Sequence, residues 1–324
     1  ESDPDNWSFY KRQEACDWSA EEFEFSKEKE EYASSPPNIK KLFKGIAGFF
    51  LVGDGLISED IVVFISQAIK EKNWPKVYYL SMQLKIENTH GELYSKAVLT
   101  IVPKEEHQEI FDMCQDLECI NKKVCWIKTF IDSSESEALR NVACAVGEGV
   151  HFVSLFAIIF YLRKLGMFKN FIEANEQISK DESLHRDHKA MEARRSLKKE
   201  EHERSHEIIK EGVEIEKLHA RHLLSEPILG EQADKDAGLS IEELDKYIEM
   251  LAAQICDLCG LKLIYKSKAN LPWMLDINLS QKSNFYERDV VGSYRKFNPS
   301  EMNSSDKNKD NDDVIFNNPE NEDF

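Results

Sequence analysis

Apolar residues recur along most of this chain at intervals of three and four, the spacing that places them on one face of an α-helix. Alternation of the kind that marks a strand is hard to find, and only 9 prolines and 13 glycines interrupt the 324 residues. Pro75 and Pro103 fit first helical turns, and Gly260 fits the position just past a helix end. The pattern therefore predicts an all-α protein with helices over roughly 39–72, 75–101, 104–132, 136–165, 170–205, 205–225 and 239–265.

Two stretches depart from this pattern. Residues 186–218 are unusually charged, so that part of the helical region is expected to be mostly solvated or to lie against a polar partner. From about Ser300 the chain is rich in Asn, Asp and Glu and too poor in apolar residues to order itself. We expect a single helical domain over 1–296 with a short N-terminal arm over 1–20, followed by a disordered acidic tail over 297–324.

The net charge of −18 disfavours direct nucleic-acid binding, because phosphate recognition needs a basic surface. The longest apolar run, 46–57, is about half of the ~20 residues that a membrane span needs, and it contains Asp54. No charged-then-apolar leader precedes that run. The seven cysteines are an odd number spread over mostly apolar helical stretches, which favours reduced thiols. These features predict a soluble cytoplasmic protein with no membrane contact and no direct nucleic-acid partner.

Two Glu-x-x-His turns are the candidates for chemistry. Residues three apart share a helix face, so Glu87 and His90 point the same way, as do Glu182 and His185. One such turn is common by chance and usually means two solvated side chains, whereas two in separate half-apolar helices are much less common. The pair is typical of dinuclear metal sites in carboxylate helical bundles, where each of two further helices adds a carboxylate.

Two carboxylates in apolar surroundings would complete the set. Asp54 lies in GFFLVGDGLI and Glu148 lies in NVACAVGEGVHFVSLFAIIF, where an unpaired carboxylate is costly to bury. A helix-end carboxylate beside glycine is an alternative for Asp54, and less so for Glu148. Four carboxylates and two imidazoles suit iron or manganese better than metals that prefer thiolates. The sequence thus predicts a dinuclear metal site in the core of a ferritin-like bundle.

Tyr94 lies one helical turn after His90 on the same face. Taken alone, such a residue is more often a core tyrosine with a hydrogen-bonded hydroxyl. Beside two oxidisable metal ions it becomes a candidate for one-electron oxidation. Phe152, Phe156 and Ile178 lie at helical spacing from the candidate ligands. Periodicity alone makes these three core residues, and next to a metal site they would also exclude solvent.

These residues resemble a known family, the small radical-generating subunit of class I ribonucleotide reductase in its eukaryotic and viral form. The matching segments are DWSAEEFEFSK, GFFLVGDGLI, MQLKIENTHGELYS, VACAVGEGVHFVSLFAIIFYLRKLG, ANEQISKDESLH and INLSQKSNFYERDVVGSY. The resemblance extends over about residues 7–296, in one order and at family-like spacing. It implies a ferritin-like bundle that forms a dimer, either with a second copy or with a different small subunit.

The resemblance also implies a role for each position. Six residues would bind two iron ions, with manganese as an alternative: Asp54, Glu87, His90, Glu148, Glu182 and His185. Tyr94 would hold a radical in a pocket lined by Phe152, Phe156 and Ile178. Four residues would pass the hole toward the large subunit: His90, Asp181, Trp18 and Tyr294.

The implied activity is that of ribonucleoside-diphosphate reductase. Two ferrous ions would reduce dioxygen and become an oxo-bridged diferric pair, while Tyr94 supplies one electron. The large subunit would then use the hole to reduce ribonucleotides to deoxyribonucleotides for DNA synthesis. The small subunit would contribute positioning and shielding.

Three features within the helical region depart from the family pattern. Lys180 stands where the family has arginine before Asp181, so the charge is kept and the planar fork is lost. His151 replaces an apolar residue, and Glu148-x-x-His151 mimics a third ligand turn. Because the ligand set is already complete, we interpret His151 as a residue that tunes the site or points at another helix. The stretch 189–206 is charged where the family is partly apolar.

The tail departs as well. Family members end in a short acidic peptide bracketed by two phenylalanines, which docks on the large subunit. Here Phe324 and Asp323 are kept, the other bracket position is Asn318, and the aromatic residue nearest to it is Phe316. Docking through Phe316, Asp323 and Phe324 is therefore expected to be weaker or shifted in register.

Two other functions share part of these features. A structural or assembly partner in a heterodimer would commonly lose metal ligands, whereas this chain keeps all six and Tyr94. A ferritin-like oxidase of another function would have no need of Trp18, Tyr294 or a tail that ends in phenylalanine. The radical-generating subunit is therefore the preferred interpretation, alone or in a heterodimer.

Overall fold

The computed structural model describes residues 3–116, 118–131, 134–271 and 273–274, without the side chains of 52–59, 114–116 and 131. No β-strand occurs within these ranges, which confirms the prediction of an all-α protein. The helices are α1 (Pro4–Ala15), α2 (Ser26–Ser34), α3 (Pro37–Lys70), α4 (Trp74–Ile101), α5 (His107–Asp116), α6 (Glu118–Ile131), α7 (Glu137–Val150), α8 (Val153–Lys164), α9 (Lys169–Ser196), α10 (His202–Leu223), α11 (Glu231–Asp236) and α12 (Ile241–Leu258).

Local sequence accounts for where many of the helices begin and end. Four side chains accept a backbone N–H in the first turn of α1, α4, α7 and α12, respectively Asp3, Asn73, Ser136 and Ser240. Pro75 lies in the first turn of α4, as predicted. Pro103 instead precedes a short 3-10 turn. Gly260 has φ +74° just past α12, a left-handed conformation that glycine adopts without strain.

Three predicted helices are divided in the structure. The prediction over 104–132 corresponds to a 3-10 turn followed by α5 and α6, and that over 136–165 corresponds to α7 and α8. The prediction over 170–205 was too long, because α9 ends at Ser196 and a separate turn precedes α10. Hydrophobic periodicity continues across such breaks when both halves face one core. The short helices α1, α2 and α11 were not predicted, and α1 lies within the expected N-terminal arm.

The core is formed mainly where α7 packs against α9 and α3 packs against α4, with α1 lying on α4. Helix α8 is buried from Val153 to Leu162. Within the described ranges, Glu137–Lys164 is the segment long and apolar enough to cross a membrane. Its apolar stretch is entirely buried inside the fold, and the helix is divided at His151 and Phe152. Its composition therefore fits a core helix.

The charged stretch 186–218 has a buried face. His188, Lys189 and Glu192 of α9 are all buried. Glu192 lies 2.6 Å from Lys76 Nζ of α4 and accepts a 2.9 Å hydrogen bond from Asn6 of α1. The sequence left open whether this stretch is solvated or lies against a polar partner. This face lies against a polar partner, because Asn6 of α1 and Lys76 of α4 contact Glu192. The expected tail, 297–324, lies outside the described residues, so its boundary stays a prediction.

Candidate metal centre

Five of the six predicted metal ligands come together in the core. Helix α4 carries Glu87 and His90, α9 carries Glu182 and His185, and α7 carries Glu148. All five side chains are buried. Glu87, Glu148, Glu182 and His185 each place one ligand atom within 4.8 Å of the others. The side chain of Asp54, in α3, lies outside the described residues, so its place in the set stays a prediction.

Each imidazole faces one carboxylate from its own helix and one from the other helix. His185 Nδ1 lies 3.0 Å from Glu87 Oε1 and 3.6 Å from Glu182 Oε2. His90 Nδ1 lies 3.2 Å from Glu182 Oε1 and 3.5 Å from Glu87 Oε2. The two Glu-x-x-His turns therefore meet face to face across the α4–α9 boundary. Their spacing predicts that each pair shares a helix face, and the packing of α4 against α9 brings the two pairs together.

These close approaches leave many polar atoms without a hydrogen bond. Among the described residues, no partner in hydrogen-bond geometry is found for either carboxylate oxygen of Glu87, for Oε2 of Glu148 and Glu182, for Nδ1 of His90, or for either ring nitrogen of His185. Buried polar atoms are rarely left unsatisfied in such numbers. Carboxylate oxygens and neutral imidazole nitrogens that converge in this way fit divalent metal ions.

The electrostatics of the metal-free cluster lead to the same conclusion. Burial raises the pKa of Glu148 well above its ordinary value, and the carboxylates of Glu182 and Glu87 add to that shift. Burial and Glu182 also act to raise the pKa of Glu87, but His185 and His90 outweigh them and lower it. Burial would lower the pKa of His185, yet Glu87 and Glu182 raise it to about 9. Protons thus supply the positive charge that bound metal ions would supply.

Gln83 is a residue of this site that sequence reasoning missed. It lies one turn before Glu87 on α4, and its Nε2 donates a 3.1 Å hydrogen bond to Glu148 Oε1. Gln83 thereby fixes one oxygen of Glu148, whose other oxygen is left for a metal ion. Its spacing from Glu87 was visible in the sequence, but its contact with α7 was not.

Tyr94 is fully buried on the His90 side of the cluster. Its hydroxyl donates a 2.6 Å hydrogen bond to Asn175 Oδ1. The Tyr94 ring stacks on Phe50, with ring centroids 4.4 Å apart and planes 5° from parallel. Phe50 in turn contacts both predicted pocket residues on α7–α8, with centroids 5.5 Å from Phe152 and 5.6 Å from Phe156.

Ile178, the third predicted pocket residue, is fully buried on α9. Asn175, one turn before Ile178, and Phe50 were both missed by sequence reasoning. An asparagine in a helix and a phenylalanine in an apolar run carry no signal of their own. Only the packing of α3 and α9 around Tyr94 reveals their positions.

The predicted transfer residues form one hydrogen-bonded unit at the other side of His90. Asp181 Oδ2 accepts a 2.8 Å hydrogen bond from Trp18 Nε1 and lies 3.2 Å from His90 Nε2. The Trp18 and His90 rings are stacked, with centroids 5.9 Å apart. Gln13 Nε2, a missed contact from α1, donates to Asp181 Oδ1 at 2.9 Å. With its Nε2 directed at an Asp181 oxygen, His90 has its Nδ1 left to face the carboxylate cluster and to bind a metal ion.

The remaining predicted residues are placed less completely. His151 is buried, and its ring packs on Trp126 of α6, with centroids 4.9 Å apart. It therefore points at another helix, which is one of the two interpretations offered for it. Four residues, Tyr294, Phe316, Asp323 and Phe324, lie outside the described residues.

Fold and site together define a class of protein. A helical bundle with Glu-x-x-His turns on two facing core helices, and a further glutamate on a third, is a ferritin-like protein of the kind that holds two metal ions. A family model described as ribonucleotide reductase, small chain, matches residues 2–272. The chain therefore belongs to the small-chain family of ribonucleotide reductase, an oxidoreductase, as its motifs indicate.

Individual relatives agree with this assignment. The chain is 31% identical to the ribonucleoside-diphosphate reductase small chain of Spisula solidissima over 294 residues. The matched region covers 90% of this chain and 74% of that protein. The chain is also 30% identical over 293 residues to the small chain of Vaccinia virus (strain Ankara), covering 90% and 88%.

Two solved structures share the fold. The dimanganese(II) NrdF protein of Streptococcus sanguinis matches with a TM-score of 0.72 and 19% identity, over 86% of this chain and 96% of that chain. The Rnr4 homodimer of Saccharomyces cerevisiae matches with a TM-score of 0.63 and 22% identity, over 86% and 87%. At these identities the structures support the fold alone.

Proposed function

We propose that this chain is the radical-generating small subunit of ribonucleoside-diphosphate reductase, with a radical on Tyr94. Two iron ions would be bound by six residues: Asp54, Glu87, His90, Glu148, Glu182 and His185. The observation that carries the proposal is the continuity around His90. Its Nδ1 faces the carboxylate cluster, its Nε2 contacts the Asp181–Trp18 pair, and Tyr94 lies one helical turn away.

When bound, two ferrous ions together with dioxygen supply a one-electron oxidant strong enough to oxidise a phenol. Tyr94 would lose one electron to that oxidant and its hydroxyl proton to the oxygen that is reduced there. Asn175 orients that hydroxyl, because an amide oxygen accepts a hydrogen bond but is too weak a base to take the proton. The surrounding phenylalanine rings and Ile178 exclude water and reductants, which lets the radical persist.

The hole then leaves through the hydrogen-bonded unit. Trp18 and His90 share one oxygen of Asp181, so the indole and the imidazole are held in a fixed relation. Gln13 anchors the other Asp181 oxygen, which prevents the carboxylate from rotating away. Through these contacts Trp18, which lies in the connection between α1 and α2, would exchange an electron with the metal centre.

The proposed partner is the large subunit. With the radical from this chain, the large subunit would reduce ribonucleotides to deoxyribonucleotides for DNA synthesis. Tyr294 would complete the route, and a tail bearing Phe316, Asp323 and Phe324 would dock on the large subunit. A dimer of small subunits, homomeric or heteromeric, and a cytoplasmic location complete the proposal. Manganese is the alternative metal, since the carboxylate-rich ligand set also suits it.

Electron paramagnetic resonance tests the central claim. Metal-free protein given ferrous iron and dioxygen is expected to develop a persistent tyrosyl signal, and Tyr94→Phe is expected to lose it. Tyr161→Phe is the matched control, because Tyr161 is equally buried but its hydroxyl bonds to Asp234. Metal content is measured on the same samples. A wild-type protein that binds and oxidises iron without any radical would favour the assembly-partner or oxidase function.

A further inference from the structure

A pocket separate from the metal centre lies between α3, α5 and α10. Asn38, Leu42 and Gly45 follow one another along one face of α3, and Phe49 continues that face at the next turn. Gly45 leaves space there, because the nearest atom to a Cβ at this position would be Met113 Cε of α5, at 3.8 Å. The pocket has a volume of about 50 Å³. Since one water molecule needs about 10–15 Å³, the pocket has room for about four waters or a ligand of similar size.

The walls of the pocket are mostly apolar, and its exposed end is polar. Five apolar side chains line it: Ile39, Leu42, Met113, Leu223 and Ile228. At the exposed end, Lys41 Nζ lies 2.8 Å from a Glu226 oxygen, and both side chains are more than half exposed. Asn38 holds the adjoining wall, because its amide nitrogen donates to the carbonyls of Pro227 and Ile228 at 3.2 and 3.1 Å. The acidic side chain among the described lining residues is therefore already paired.

A buried imidazole forms the inner end of the pocket. His219 of α10 lines the pocket and is 1% exposed. Its Nδ1 lies 2.6 Å from Lys123 Nζ of α6. The same Nζ lies 2.5 Å from a Glu216 oxygen and donates to the His151 carbonyl. Three acceptors around one nitrogen match the three N–H groups of an ammonium ion, so His219 Nδ1 accepts a hydrogen bond from Lys123.

Nε2 of His219 therefore carries the hydrogen of the ring. Burial, with Lys123 adding to it, holds the pKa of His219 well below its ordinary value, so the ring is neutral and has one N–H. No acceptor for this N–H is found within the described ranges, and buried donors are rarely left without one. Glu216 directs its oxygens at Lys123 and at the Ser154 N–H. Lys123 polarises the imidazole, which strengthens the hydrogen bond that Nε2 can donate to an anion.

We propose that this pocket binds a short-chain monocarboxylate, whose carboxylate accepts the hydrogen bond from His219 Nε2 and whose hydrocarbon part lies against Leu42 and Leu223. Lys123 lies behind the imidazole and Lys41 lies at the exposed end, so a cation flanks the pocket on either side. A chain with a net charge of −18 repels anions in general, so binding depends on this local arrangement. The site uses none of the predicted metal ligands and adds a binding function to the proposed radical chemistry.

Equilibrium dialysis of the full chain against radiolabelled propionate tests the proposal. Saturable binding of one propionate per chain is expected. Propionamide, which has the same shape without the charge, is expected to bind about tenfold more weakly, because hydrogen bonds to charged acceptors are the stronger ones.

Three variants locate the site. His219→Phe removes the donor and is expected to weaken propionate binding on the order of 10–100-fold. His151→Phe is the matched control, because its ring packs on Trp126 and does not line the pocket, and binding is expected to be unchanged. Gly45→Leu fills the pocket without altering a polar group and is expected to abolish binding. Leucine is a better helix former than glycine, so this variant keeps the test decisive if His219→Phe fails to fold.

Three results would overturn the inference. One is the absence of saturable propionate binding to the wild-type chain. The second is propionamide binding as tight as that of propionate, which would exclude a carboxylate as the preferred ligand. The third is propionate binding that is unchanged in Gly45→Leu, which would place it outside this pocket. Each result is independent of the Tyr94 radical, so failure of this inference leaves the proposed function intact.

Discussion

The metal-free protein is expected to lose stability as the pH rises from 6.5 to 9. The perturbation is removal of the metal by a chelator, which leaves His185 facing Glu87 and Glu182. These carboxylates outweigh the effect of burial and raise the pKa of His185 from 6.5 to about 9. A group whose pKa is raised on folding stabilises the folded state while it is protonated. That contribution is complete below pH 6.5 and is lost as the pH passes through 9.

The size of the effect follows from the shift. One pKa unit corresponds to about 1.4 kcal/mol, so His185 alone contributes about 3 kcal/mol. Contacts with carboxylates raise the pKa of His90 against the effect of burial, so His90 adds to the loss above pH 6.5. Burial raises the pKa of Glu148, and the loss of stability due to Glu148 begins at its ordinary value of 4.5. The other buried histidines, His151, His188 and His219, have lowered pKa values and therefore affect stability below pH 6.5 instead.

Urea unfolding followed by circular dichroism measures this dependence. The midpoint of chelator-treated protein should fall across this pH range, and His185→Gln should flatten the fall. The metal-loaded protein should not show it, because protons compete with metal ions and binding tightens as the pH rises. The reasoning would be refuted by a metal-free midpoint that stays level or rises, or by a His185→Gln protein with the wild-type slope.

Three further predictions concern separate parts of the molecule. Asp181→Asn should keep the metal and the Tyr94 radical but lower nucleotide reduction on the order of 10–100-fold, since Trp18 loses its charged acceptor; loss of metal instead would contradict this. Lys123→Met should cost about 3–5 kcal/mol by stranding buried Glu216, which lies 2.5 Å from Lys123 Nζ, and Lys123→Met/Glu216→Leu should recover most of it in urea unfolding. Deletion of the residues after Ser300 should leave metal content intact and abolish turnover with the large subunit; unchanged turnover would exclude docking by the tail.

The metal-binding helices show what can be read from the amino-acid sequence. Glu87 and His90 share a face because they are three residues apart on one helix, and the same holds for Glu182 and His185. That relation depends only on local helix geometry, so it could be predicted without knowledge of the fold. The apolar residues around Glu148 also identified this carboxylate as a candidate ligand from local sequence alone, because burying an unpaired charge among them is costly.

Helix boundaries were less predictable. The break between α7 and α8 falls inside an apolar run, where the hydrophobic pattern gives no sign that one helix ends and another begins. It is stabilised from elsewhere in the chain, because Lys123 of α6 donates to the His151 carbonyl and Glu216 of α10 accepts the Ser154 N–H. Such contacts between distant segments leave no trace in local spacing.

The sequence by itself determined the helical class, the two Glu-x-x-His turns and the resemblance to a reductase family, since each depends on residue type and short-range spacing. Tertiary structure decided which groups surround them. Gln83 reaches Glu148 from another helix, Asn175 receives the Tyr94 hydroxyl, and Gln13 anchors Asp181 across 168 positions of sequence. It also decided that the imidazole of His219 borders a pocket between α3 and α10. Hydrogen-bond partners at such separations are set by how helices pack, and packing is a property of the whole fold.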